Sequence, residues 1–207
     1  MISRCPAKKP ESACAHPLAA RVCMLAFAAL LGWGSGAAAQ TDIASAAIGK
    51  TVYLQANMRH DAQNKTTSLN PQAGEMLTLG TRVEIRSVDE NRIVFSAEGR
   101  DEFVFERDRY GMALSIDDYF QHYFTDRDPL APDAPIHRLS RMEQRNIADG
   151  ALAIGMSREA TFMAAGLPPP HRTASLQETI WLYWRSRMRS FRVTFDEDGR
   201  ISELRGY

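Results

Sequence analysis

The residues able to do chemistry are few and scattered. His122 and Asp126 stand four apart, a spacing that can bring two metal ligands onto one helical face. A zinc site needs further ligands and none accompanies them, so a solvated pair is expected. His137 and His171 each stand alone beside prolines. Ser157 follows Gly155-Met156 without the G-x-S-x-G frame of a nucleophile elbow, and capping a helix accounts for it. Asp117 and Asp118 point in neighbouring directions on a helix. Asp196 and Asp198 sit in a hairpin turn with too few oxygen ligands for calcium. No catalytic residue, cofactor or metal is expected.

Recognition has better candidates. The loop Leu167 to Leu176 (LPPPHRTASL) is stiffened by three prolines. Such a loop loses little entropy on binding, and its polar tip, His171 and Arg172, is the predicted contact. The second candidate is the aromatic group Trp181, Tyr183, Trp184. On a strand Trp181 and Tyr183 share one face, Leu182 and Trp184 the other. One face is expected to pack on Phe162 and Met163. An exposed Trp181/Tyr183 pair beside Arg185, Arg187 and Arg189 would be a partner surface, unless a helix or the N-terminal region covers it. The predicted partner-binding residues are therefore His171, Arg172, Trp181 and Tyr183.

These residues must be carried by regular elements. Thr51 to Ala56 opens a β-rich stretch, and residues 59–75 read as loop, with turn signals at Asn70-Pro71 and Gly74. Strands follow over Thr81–Val88, Arg92–Ala97 and Glu102–Glu106, separated by the turns Asp89-Glu90-Asn91 and Glu98 to Asp101. Ser115 caps a helix whose stripe is Ile116, Tyr119, Phe120 and Tyr123. Residues 125–137 hold three prolines and read as a boundary. Ser140 and Glu143 make a capping box for a helix ending before Gly150. Ser157 caps another, which Gly166 ends in a left-handed conformation. Three strands close the chain: Ile180–Trp184, a run alternating Phe191, Val193 and Phe195, and Ile201–Leu204 after the turn Asp196 to Gly199.

The first ~40 residues read as a secretory signal. Arg4, Lys8, Lys9 and Arg21 are basic, Val22 to Leu31 is apolar, and Ala37-Ala38-Ala39 supplies a cleavage pattern after Ala39. The alternative is a retained N-terminal membrane anchor. Cys5, Cys14 and Cys23 all fall in this leader, so the chain from Gln40 onward has no disulfide, thiolate or cysteine metal site, and no lipoprotein cysteine follows the apolar run. That remainder has 21 basic and 24 acidic residues, a formal charge of −3, which excludes a basic field for nucleic acid. Oligomeric state is not legible.

The C-terminal half resembles the SmpA/OmlA (BamE-like) envelope protein family. The matching words are Ile154-Gly155-Met156-Ser157-Arg158-Glu159-Ala160, Gly166-Leu167-Pro168-Pro169, Trp181-Leu182-Tyr183-Trp184 and Val193 to Ile201. The resemblance implies two helices on a three-stranded antiparallel sheet. The N-terminal half resembles bacterial SH3-like domains in pattern only. The expected fold class is α+β, with a signal over 1–39, a tether over 40–49, an SH3-like β-barrel over 50–112, a connecting helix and Pro-rich linker over 113–138, and the BamE-like unit over 139–207. The expected function is a non-enzymatic periplasmic binding or scaffold protein accessory to envelope assembly, with an envelope protein or cell-wall component as partner. The alternatives are peptidoglycan binding through the SH3-like unit and a hydrolase with a dispersed site.

Overall fold

The structure, a computed structural model, describes residues 42–97, 102–186 and 188–207. The leader with its cysteines, the Ala39 junction and the turn at 98–101 lie outside the described residues. None of the described helices is long and apolar enough to cross a membrane.

The chain begins with β1 (Thr51–Leu54), β2 (Met58–His60), β3 (Lys65–Thr67), β4 (Glu75–Leu77), β5 (Arg82–Val88), β6 (Arg92–Ala97) and β7 (Glu102–Glu106). Helix α1 (Ile116–Tyr123) and the short β8 (Phe124–Thr125) follow. Alternation along β5 to β7 turns Val83, Ile85, Ile93, Phe95, Phe103 and Phe105 inward, where Tyr119, Phe120 and Tyr123 of α1 meet them in one core. Ser115 and Asp118 form the capping box that starts α1. Asp117 also accepts a hydrogen bond from the Ala44 amide at 2.8 Å and so anchors the start of the described chain.

The expectation of a closed SH3-like barrel is corrected here. The sheet is six-stranded, ordered β3-β7-β6-β5-β1-β8, and curls into an open half-barrel. Its β3 runs parallel to β7, with Lys65 opposite Val104. That pairing needs the chain to cross over, which a compact meander does not do. The stretch read as loop over 59–75 holds β3, most of β2 and the start of β4. Three-residue strands carry too little alternation to stand out from turn residues. Within residues 113–138, α1 packs into the first core, and β8 pairs with β1 at Tyr53–Thr125 and Leu54–Phe124.

Helices α2 (Arg141–Asp149) and α3 (Arg158–Ala165) then precede β9 (Ile180–Ser186), β10 (Arg189–Phe195) and β11 (Ile201–Arg205), an antiparallel sheet ordered β11-β10-β9. Glu143 joins the two helix starts, accepting from the Ser140 amide and hydroxyl and, at 2.9 Å, from the Ser157 amide. Burial alone would raise its pKa. The donated hydrogen bonds of Ser157 and Ser140 outweigh that and hold it at about 2.

These elements do not form a detached BamE-like module, and the two-unit fold class is corrected with it. The protein is mostly β, with three α-helices among the described residues. Asn57, just before β2, donates to the carbonyls of Ile147 (2.6 Å) and Ala164 (3.1 Å) and accepts from the Leu79 amide (2.8 Å). Phe162 and Leu176 pack against both cores. Buried polar groups must find partners, and here they find them across the expected boundary.

Candidate functional site

A groove of about 900 Å³ opens where four segments converge. Its volume lies in the range of small-ligand sites. The first wall comes from β3 and the residues after it, through Thr67, Leu69 and Pro71. Asn70 fixes this wall: it is buried, adopts φ +46°, and donates to the carbonyls of Ala165 (2.7 Å) and Leu167 (2.8 Å). Asparagine tolerates that left-handed conformation better than most residues.

The turn after β7 forms the second wall with Asp108, Arg109 and Tyr110. The Ser68 hydroxyl donates to Asp108 at 2.8 Å and accepts from the Asp108 amide at 3.1 Å. The next residue but two is Gly111, where a Cβ would lie 2.1 Å from Ser68 Oγ, so this close approach requires glycine. The Arg109 guanidinium lies 4.8 Å over the Tyr110 ring and donates to its hydroxyl at 2.7 Å.

The proline loop is the third wall. Leu167 to Pro170 are buried, His171 and Arg172 are exposed, and Thr173 is buried again. The Arg172 and Thr173 amides both donate to the Pro169 carbonyl, which makes a tight turn at the apex. His171 packs against Tyr110 with ring centroids 4.9 Å apart and the planes tilted by 39°. Burial, seconded by the Arg172 charge, lowers the His171 pKa against the opposing pull of Asp108. Arg172 supplies the fixed charge at this rim.

Trp184 and Ser186 of β9 complete the groove. The edge of β9 is already occupied: Gln72 donates its amide to the Trp184 carbonyl at 2.6 Å, and Thr173 Oγ1 accepts from the Leu182 amide at 3.1 Å. A ligand therefore meets side chains here and finds no open ladder along this stretch.

His171 and Arg172 thus stand on the groove. Trp181 and Tyr183 do not, and the expectation of an exposed pair is corrected: they are 1% and 0% exposed. Both belong to the second core with Ile147, Met156 and Ala160 of the α2–α3 region. Trp181 packs edge-on to Phe195 at 4.8 Å, and the Tyr183 hydroxyl donates to the Gly166 carbonyl at 2.9 Å. The aromatic that reaches the surface is Trp184, of opposite parity on the same strand. Tyr110 and Arg109 had no sequence signal beyond their place in a turn.

The remaining polar candidates serve the fold. Ser157 accepts from the Ala160 amide as the cap of α3. Asp196 accepts from the Arg200 amide in the last hairpin. Burial lowers the pKa of His122, which sits 6.1 Å from the Phe162 ring. Among the described residues no three His, Cys, Asp or Glu side chains gather as metal ligands. No family model matches the chain, and neither a curated protein nor a solved structure does.

Proposed function

We propose that this chain is an exported, non-enzymatic binding protein of the cell envelope that recognises its partner through the groove between Tyr110, His171, Arg172 and Trp184. One observation carries the reading: exposed aromatic and guanidinium groups are mounted on loops whose backbones are pinned by buried polar contacts. Asn70, the Ser68–Asp108 pair and Thr173 hold the three walls before any ligand arrives. Binding then orders little, so the contact energy goes to affinity. The leader, with its basic, apolar and small-residue zones, supports export, and the partner is an envelope protein or cell-wall component.

The test is site-specific crosslinking in cells. Replacing His171 with a photo-reactive amino acid should yield one discrete adduct, weakened by Arg172→Glu. The same group at Met112, which is exposed but off the groove, should yield none. Equal adducts from both positions would remove the groove from the proposal.

A further inference from the structure

A second surface lies on the outward face of the three-stranded sheet. From Thr179 to Phe195 the sequence holds four arginines and no acidic residue, although the chain from Gln40 onward is net acidic; Arg185 lies over the Tyr207 ring at 5.1 Å on the inner side, while Arg189, beside the turn, and Arg192 are exposed. Ile180 is exposed and Leu182 and Trp184 are half-buried along the outward side of β9. Ser190 and Arg192 are exposed on β10 beside them. Met188, in the turn joining the two strands, is 90% exposed.

Arg192 stands directly opposite Arg205 on β11. Like charges so placed oppose strand pairing. Arg205 is relieved by Glu203 at 2.9 Å, whereas Arg189 and Arg192 have no ion pair among the described residues. This arrangement sets the exposed Arg189 and Arg192 beside the apolar residues of β9.

We propose that this face docks an acidic, partly apolar segment of a partner protein. Guanidinium groups pair with carboxylates in bidentate geometry, and arginine, methionine and tryptophan are enriched at protein interfaces. The occupied edge of β9 directs the partner to side chains. A lipid surface fits less well. The apolar residues run along β9 from Ile180 to Trp184, so a bilayer touching the Met188 turn would leave that strip in water. Trp184 is shared with the groove, but Arg189 and Arg192 lie outside it, so the two proposals fail separately.

Fluorescence anisotropy of the purified protein tests this with a labelled peptide alternating Glu and Leu, against a Gln/Leu peptide of equal length. The Glu/Leu peptide should bind and weaken with added salt. The paired substitutions Arg189→Glu and Arg192→Glu should lower its affinity roughly tenfold or more, the scale of an interface hot spot. Met188→Ser should lower it by a smaller factor. Arg189→Gln with Arg192→Gln keeps the comparison readable if charge reversal perturbs folding, and unfolding curves report that directly. Equal binding of the Gln/Leu peptide, or unchanged affinity in both arginine pairs, overturns the proposal. So does arginine-dependent capture by phosphatidylglycerol vesicles that the Glu/Leu peptide does not displace, an outcome that would make this a membrane-facing surface.

Discussion

The two faces of β9 carry similar residue types and have opposite fates. Inward, Trp181 and Tyr183 are sealed under the second core, with Tyr183 stacked on Phe191 at 5.4 Å. Outward, Leu182 and Trp184 are half-buried and Trp184 forms part of the groove. The difference lies in what covers each face. The α2–α3 region packs its small and apolar residues, Ala160, Ala164 and Met156 among them, on the inner side. The outer side, at Trp184, borders the groove with Pro71, Tyr110 and His171. Aromatic content alone therefore says nothing about recognition; an aromatic becomes available to a partner where the packing layer ends.

Denaturant unfolding tests that contrast most sharply. Trp181→Ala should cost about 3–5 kcal/mol, the range for emptying a large core site. Trp184→Ala should cost about 1 kcal/mol or less, in keeping with partial exposure. Equal losses would erase the distinction between the faces.

The inner face also depends on Gly166, whose carbonyl receives the Tyr183 hydroxyl. It follows α3 at φ +71° and ψ −168°, so the positive φ expected of a terminating glycine is present but the backbone is not left-handed helical. A Cβ there would sit 2.8 Å from Tyr123 Oη. Gly166→Val should therefore cost about 3 kcal/mol, combining backbone strain with overpacking. An unchanged melting temperature would show that this exit from α3 is not needed.

Acid should loosen the helices that cover the inner face. Glu143, with its folded pKa held at about 2 against an ordinary 4.5, contributes stability that is fully present above pH 4.5. That contribution, on the order of 2–3 kcal/mol, is lost as pH falls from 4.5 toward 2, because the unfolded chain takes up the proton first. Stability curves of Glu143→Gln should lack this part of the acid dependence; a variant as acid-sensitive as wild type would place the effect elsewhere.

Asn70→Ala addresses the outer face. It leaves the Leu167 carbonyl without its side-chain donor and the Ala165 carbonyl with Gln72 as its remaining one, and should cost about 1–2 kcal/mol. It should also weaken the His171 crosslink, since the Pro71 wall loses its anchor. Full crosslinking in a destabilised variant would show that the groove does not depend on that anchor.

Local signals in the sequence determined much of the element placement. The capping boxes Ser115–Asp118 and Ser140–Glu143, the cap at Ser157 and the alternation of Phe191, Val193 and Phe195 each act within one turn or one strand, where neighbouring residues decide the outcome. His171 and Arg172 were legible for the same reason: prolines stiffen a loop through their own backbone. Tertiary structure alone decided the rest. The parallel β3–β7 pair, the burial of Trp181 and Tyr183, and the convergence of Tyr110, His171 and Trp184 join residues far apart in the chain, where no short-range pattern records the contact. Asn70 reads as a turn residue in sequence and Asn57 carries no signal there, yet they tie the two cores together, because a buried amide is worth most where distant backbone carbonyls need a donor.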